Sequence, residues 1–356
     1  MKTTFLLIGL FLCLLIGCCS EGQTGKKLQV STLFMELPEI CPTPDGMAIA
    51  PDGNLIVACP NFANPAMPAC LMRITPDKQI SKWIDVPVLA ETGVACPMGI
   101  AFNEKGELYI CDNQGWSGSE QGRGKGRLLK LVFDSQGMLQ ETITVACQME
   151  HPNGVRVRNG KVYVTQSLLS AIPSDCLVSG VYCFNEGDCG IAITNTLEDK
   201  NLLVTVTTRN PQVQYGLDGI VFDKAGNLYV GNFGDGAIHK IVLDEEGKVV
   251  SNMVWAQDST QLTTTDGMCM DEEGNMYVAD FSVNAIARIT PDGKVARIAQ
   301  SPDCDGSNGG LDQPGEPIVW NGKLIVSCFD IVTGPDKVNA GHDKPYTLAQ
   351  LELENQ

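Results

Sequence analysis

One unit recurs six times along this chain of 356 residues, and the recurrence settles the fold class before any single residue is considered. The segment Asp45-Gly46-Met47-Ala48-Ile49-Ala50-Pro51-Asp52-Gly53-Asn54-Leu55-Ile56-Val57-Ala58 returns from Asp218-Gly219 to Val230-Gly231, and again from Asp266-Gly267 to Ala279-Asp280. Looser copies begin at Met98-Gly99, Asn153-Gly154 and Gly315-Glu316. Each copy is an apolar run, a turn built on Gly53, Gly106, Gly160, Gly226, Gly274 or Gly322, and a second run of alternating character, which is a β-hairpin. Two further strand-like runs usually follow, as in 237–243 and 249–255. Four strands in about 50 residues make one propeller blade. The spacing of the copies gives the third unit the largest insertion. The ends of the chain are complementary: 346–353 supplies a third strand after the last hairpin, and 28–37 precedes the first hairpin without a partner. The expectation is an all-β, six-bladed β-propeller of four-stranded blades over 28–356, closed by strands from both termini so that no edge stays free. An open sandwich or a β-helix is the alternative, and neither explains the four-strand period or the complementary ends.

Composition fits this reading and removes one function class. The 37 glycines and 19 prolines supply many turns. The 25 basic against 42 acidic residues leave a net charge of −17, which repels a phosphate backbone, so no nucleic-acid partner is expected. Ahead of the repeats, Lys2 precedes an apolar run from Phe5 to Ile16, too short to span a membrane and suited to an export signal. It ends Leu15-Ile16-Gly17-Cys18, which looks like a bacterial lipobox. Residues 1–17 then form a lipoprotein signal peptide, Cys18 is the lipidated mature N-terminus, and 18–27 is a tether to a periplasmic or cell-surface membrane face. An ordinary secretory signal with a chance cysteine is the alternative.

Export also accommodates 15 cysteines, which form no C-x-x-C pair and so favour disulfides over zinc. Cys59 and Cys70 flank one short loop, and Cys176, Cys183 and Cys189 cluster in another. These are the candidate staples. Cys111, Cys269 and Cys328 sit inside strand-like runs and read as small buried apolar residues.

In a propeller the first strand of every blade lines the central channel, so the residues that lead those strands converge. They are Asp45, Met98, Asn153, Asp218, Asp266 and Glu316. A single Asp-Gly is usually only a turn, but the same position carries an oxygen ligand in five units of six. Gathered carboxylates repel one another unless a cation or protons neutralise them. An all-oxygen set suits calcium first, with magnesium the other candidate. The expected metal ligands are Asp45, Asn153, Asp218 and Asp266. Second strands return toward the same face, so Asn113, Asn232 and Asp280 are expected on the pocket wall as hydroxyl-binding residues beside His151, with Asp112, Gln166 and Asp330 at like positions. The loops 60–69, 115–126, 167–190 and 330–345 are long on this face, and specificity is expected there, above all in 167–190.

The repeat at 266–280, Asp-Gly-Met-Cys-Met-Asp-Glu-Glu-Gly-Asn-Met-Tyr-Val-Ala-Asp, resembles the senescence-marker-protein/gluconolactonase family, also called regucalcin-like, over most of the mature chain. The resemblance implies a six-bladed propeller with a divalent cation in its channel that hydrolyses lactones or other esters. It assigns the first-, fourth- and fifth-blade ligands to Asp45, Asp218 and Asp266. Asn153 falls where the related paraoxonases place a third-blade ligand. Asp45 stands where that family usually has Glu, and Asp218 where it usually has Asn. The substrate-holding Arg-x-Asn-Asp-Gly is replaced by Glu150-His151-Pro152-Asn153-Gly154, and the paraoxonases' second-blade catalytic histidine falls on Met98.

The expected activity is metal-dependent hydrolysis of a lactone or sugar-derived ester, with the cation as Lewis acid and Asp266 and Glu316 as catalytic candidates. A non-catalytic propeller binding glycan or other ligand and a metal-assisted lyase are the rival classes. A small-molecule substrate, a membrane contact through the lipid anchor alone and a monomer complete the expectation.

Overall fold

The computed structural model describes residues 27–61, 67–116, 118–330, 338 and 344–353. The export signal, Cys18 and nearly all of the tether lie outside the described residues, as does most of the loop 330–345. The described chain forms six separate sheets, each made of a run of antiparallel strands, and a single short 3₁₀ turn at Phe281–Val283. Blades 1 to 6 begin with the inner strands Met47–Ile49, Pro97–Phe102, Pro152–Arg158, Leu217–Phe222, Met268–Met270 and Pro314–Trp320. Each inner strand neighbours the next around the axis, and the last neighbours the first, so the ring is closed.

Closure uses both ends of the chain. The third strand of blade 6, Tyr346–Glu352, pairs with Thr32–Leu37, which becomes that blade's outermost strand. The register runs from Thr32 opposite Gln350 to Leu37 opposite Tyr346. Phe34 meets Trp320 edge to face at 6.0 Å, and the Trp320 indole N–H donates to the Gly53 carbonyl at 3.0 Å, joining blade 6 to blade 1.

The repeated letters have local causes. The turn glycines, for example Gly53 at φ +82° and Gly226 at φ +90°, take the left-handed conformation that a Cβ disfavours. Beside them Asp223 accepts from the Asn227 backbone N–H at 2.8 Å, the Asn227 amide at 2.6 Å and the Tyr229 hydroxyl at 3.2 Å. Asp271, Asn275 and Tyr277 repeat this arrangement in blade 5. The alternating runs put Leu, Ile and Val between blades, where they are buried in six apolar clusters.

Two expectations need correction. The stretch 167–190 is not one long loop: Leu177–Asn185 is the third strand of blade 3, leaving only 167–176 on the channel-mouth side. The extra length of the third unit lies between its third and fourth strands. There Ile191–Ala192 adds a fifth strand to blade 2, parallel to Leu139–Met149. The staples also differ. The disulfide joins Cys59 to Cys41, and Cys70 is free and buried. Cys176 and Cys189 lie beyond opposite ends of a 9-residue strand, which at about 3.3 Å per residue holds them outside disulfide reach, and Cys183 within it is unpaired. Cys111, Cys269 and Cys328 are buried free thiols inside strands.

The glycine in each leading pair is not a turn residue. A Cβ on Gly46 would stand 2.3 Å from the Met98 carbonyl oxygen, one on Gly99 2.5 Å from that of Asn153, and one on Gly219 2.4 Å from that of Asp266. Only a residue without a side chain lets neighbouring inner strands approach this closely. Gly219→Ala is therefore expected to lower the stability by about 1–3 kcal/mol in chemical denaturation. Gly187→Ala, where an added Cβ meets nothing within 4 Å, serves as the control and should be near neutral. Equal stability of the two variants would contradict this account of the ring.

Candidate functional site

The register that closes each hairpin also aims the leading side chains at the axis. The Asp45 backbone N–H donates to the Ala58 carbonyl and that of Asp266 to the Ala279 carbonyl, both at 2.9 Å. These bonds fix the backbone while the carboxyls face inward. Asp45, Asn153, Asp218 and Asp266, together with Met98, line the floor of a cavity of about 290 Å³ at the channel mouth. Asp45, Asn153 and Asp218 are buried, and Asp266 is half-buried. The Asn153 amide donates to Asp218 Oδ2 at 2.6 Å and to the Tyr215 hydroxyl at 3.3 Å.

Three carboxyls in so small a space cannot all ionise without compensation. Burial, then the charges of Asp266 and Glu316, push Asp45 well above its ordinary range. Burial, then Asp45, does the same to Asp218, and burial, then Asp218, to Asp266. The upward shift of all three favours their protonated forms relative to free carboxyls. The donor chemistry fits a hard divalent cation: the ligands are all oxygen, and the buried negative charge calls for a counter-charge. The side chains are not drawn into a finished coordination shell, since among the described residues no group of three or more acidic, histidine or cysteine side chains is gathered closely enough to hold a metal ion.

Glu316 is not part of this floor. Pro314 pairs with Cys328 and Pro317 with Val326, just as Leu217 pairs with Asn232 and Ile220 with Val230, so Gly315 occupies the position of Asp218 and Glu316 that of Gly219. The missing side chain at Gly315 leaves room for Asp45, whose Oδ1 would lie 3.1 Å from an added Cβ. Glu316 sits one residue lower in the channel. Its Oε2 accepts from the Met47 backbone N–H at 3.1 Å and its Oε1 from Arg156 at 2.7 Å. Arg156 comes from the opposite blade and also donates to the carbonyls of Val155 and Met268, so the ion pair spans the channel beneath the cavity. The sequence carried a signal for Arg156: the equivalent inner-strand positions hold Ala48, Ala101, Val221, Cys269 and Ile318.

The expected wall is also different. Asn113, Asn232 and Asp280 are fully buried and do not line the cavity. Asp280 accepts from the backbone N–H groups of Thr263 and Thr264 and from Arg297. Asp112, at the like position in blade 2, accepts from the Cys96 N–H and pairs with Arg127. Asn232 accepts from Thr208, and Gln166 accepts from the Glu150 N–H. The Asn113 backbone N–H donates to the Cys96 carbonyl, while its side chain has no partner among the described residues. Most of these side chains satisfy buried backbone where the chain crosses from one blade to the next, and a buried N–H without a partner is costly.

The cavity wall is instead aromatic. The residue after the second strand is Phe233, Phe281 and Phe329 in blades 4, 5 and 6, and all three face the cavity with Trp116, Tyr215 and His151. The rings follow one another around the mouth: His151 to Tyr215 at 6.4 Å, Tyr215 to Phe233 at 5.4 Å, Phe233 to Phe281 at 6.1 Å, Phe281 to Phe329 at 6.2 Å, and Phe329 to Trp116 at 5.7 Å. The threefold Phe was visible in the sequence as a repeat position, though nothing local said that it faced a cavity. His151 is half-buried, its Nδ1 has no partner among the described residues, and desolvation lowers its pKa, which keeps the ring neutral near pH 7. His239 lies in an outer strand against Asn252.

Residues 235–307, within blades 4 and 5, match the family model described as SMP-30/gluconolactonase/LRE-like region. The propeller as a whole is shared with solved structures. One is a luciferin-regenerating enzyme, at 11% identity and TM-score 0.60 over 90% of this chain and 94% of that one. Another is the calcium-binding protein regucalcin from Agrobacterium tumefaciens, at 14% and 0.58 over 90% and 92%. A third is a gluconolactonase from Xanthomonas campestris, at 13% and 0.55 over 92% and 91%. At such identities the likeness concerns the fold alone. No curated protein matches the sequence significantly.

The raised carboxyl groups predict a stability trend for protein freed of divalent cations. The folded state holds protons that the unfolded state releases near the ordinary value of 3.8, so their contribution is full below about pH 4 and is lost as pH rises toward the folded values. Melting of chelated protein should fall between pH 4 and 8, by about 1–2 °C for each kcal/mol of this linkage in a chain of this size. Asp218→Asn should flatten the slope. An unchanged slope in that variant would show that the floor carboxyls are not responsible.

Proposed function

We propose that this protein is a hydrolase of a lactone or related ester and that the carboxyl floor is its reactive centre. The observation that carries the reading is the convergence of Asp45, Asn153, Asp218 and Asp266 at the bottom of one buried cavity, on a propeller whose residues 235–307 match the SMP-30/gluconolactonase/LRE-like region. The name gluconolactonase borne by one structural relative, and the calcium binding stated of another, support this assignment.

Asp45, Asn153, Asp218 and Asp266 are the residues that would hold a divalent cation, calcium first. When bound, such an ion supplies Lewis-acid polarisation of the ester carbonyl and balances the buried charge. This chain's own groups do the rest. The aromatic wall excludes bulk water and confines the ester over the floor. The Asn153 amide orients Asp218 through their 2.6 Å hydrogen bond. Asp266 in its ionised form takes the proton from the attacking water as the new C–O bond forms. The ring C–O bond then breaks, the departing alkoxide oxygen takes that proton back from Asp266, and one lactone and one water yield one hydroxy acid. Glu316, held by Arg156 and the Met47 N–H, is left out of the reaction. It braces the channel below the floor.

Turnover of δ-valerolactone in a pH-stat assay tests the reading. Asp266→Asn is expected to lower kcat/KM by about 10²-fold or more. Chelation should abolish turnover and added calcium restore it. Absence of lactone turnover in metal-replete protein, or turnover indifferent to both treatments, would overturn it. The site is further proposed to work outside the cytoplasm, on a lipid anchor at Cys18: metabolic labelling with a radioactive fatty acid should be incorporated by the wild type and lost in Cys18→Ser.

A further inference from the structure

We infer that the substrate is amphiphilic and has two parts: a compact ring that lies inside the aromatic collar, and an apolar chain that lies in a second cavity between the mouth loops of blades 1 and 2, with Trp116 as the wall between them. The inference rests on the hydrolase reading for the nature of the reacting ring, but its geometry stands independently.

The first argument concerns what the collar offers. Six rings surround the space above the carboxyl floor, and each neighbouring pair in the chain from His151 to Trp116 lies within 6.4 Å. A polyhydroxylated sugar ring enclosed there would lose water from each hydroxyl and find few partners, and an unpaired buried hydroxyl costs free energy. On the collar side, Asn232, Asp280 and Asp112 are fully buried and occupied by their own protein hydrogen bonds, so polar groups meet a ligand only at the floor and at Tyr215 and His151. A hydrocarbon ring face or methylene edge loses nothing polar against these walls and removes apolar area from water.

The second argument concerns continuity. A further cavity of about 610 Å³ opens beside the first, and Trp116 lines both. Its walls include Met67, Pro68, Val88, Val94 and Ala95, with Thr92 and Gln114 among the polar members. Those two are already engaged with each other at 2.6 Å, and the Gln114 amide also donates to the Val94 carbonyl. Asn61, Ser119 and Gln121 are the other polar members, so this cavity presents polar and apolar surface side by side, with the apolar share the larger. The first cavity alone is small for a substrate with a tail, while the second reaches the size usual for ligand sites. Blade 1 contributes no ring to the collar, its position after the second strand being Pro60, and the second cavity opens beside that residue.

Binding is read separately from turnover by calorimetry with two lactams, which are not hydrolysed as esters: δ-valerolactam and its analogue carrying a pentyl chain on the carbon next to nitrogen. The wild type is expected to bind the pentyl compound at least about tenfold more tightly, since each buried methylene contributes to affinity. Trp116→Ala should abolish that advantage and, because the ring is also a collar wall, weaken δ-valerolactam as well. Val88→Glu, at a half-exposed position in the second cavity, gives the same test without touching the collar or the fold and should also remove the advantage. Equal binding of both lactams by the wild type, binding of neither, or a pentyl advantage that survives both variants would overturn the inference. A pentyl advantage in a protein that hydrolyses no lactone would leave the two-part site standing and refute the hydrolase reading alone. Lactone turnover without the advantage would do the reverse.

Discussion

Everything at the site follows from how closely six inner strands approach one another around the axis. The approach is set by glycine: at Gly46, Gly99 and Gly219 a single added carbon would fall within 2.5 Å of the next strand's carbonyl oxygen. A channel built this tightly leaves the side chains at its mouth accessible from the cavity side alone. The glycine beside each floor residue therefore does more than permit the fold. It limits the solvent that would otherwise screen Asp45, Asp218 and Asp266, and so creates the electrostatic problem that the site is built around.

That problem has two local answers. Beneath the floor, Arg156 reaches Glu316 from the opposite blade and pairs with it, and the Met47 N–H completes its bonding. A buried ion pair of this kind is weak evidence for stability, yet removing one partner leaves an uncompensated charge. On the floor no lysine or arginine among the described residues lines the cavity, and burial raises the carboxyls so that protons are held more readily. The chain thus separates a neutralised lower layer from an upper layer that still calls for positive charge. Such an upper layer is where a hard cation gains most.

Above the floor the division of labour is by position along each second strand. The last residue of the strand turns back into the protein and satisfies the crossing backbone, as Asp112 and Asp280 do. The next residue faces the cavity, and in three blades it is phenylalanine. A shift of one residue along an extended chain reverses the side-chain direction, so polar bracing and apolar wall alternate within a single dipeptide. The outcome is a rigid mouth whose polar groups are mostly spent on its own architecture.

The repeat by itself determined the number of blades, the hairpin turns at Gly53 through Gly322, closure by a strand within 28–37 against one within 346–353, and the leading residues of the first five units. All of these are properties of spacing, and spacing is visible in one dimension. Tertiary structure decided what depends on register and on which way a side chain turns. Gly315 rather than Glu316 proved to lead the sixth unit, because only the pairing of Pro314 with Cys328 fixes the alignment of so divergent a copy. Asn113, Asn232 and Asp280 became internal braces, since the sequence shows a polar residue but not whether backbone or ligand will claim it. Cys41, far from the expected partner in sequence terms, took Cys59 because the folded chain brought their Cα atoms to 5.2 Å. The aromatic collar is the clearest case: its six rings come from four blades and the segments between them, and only closure of the ring turns residues 116 to 329 into neighbours.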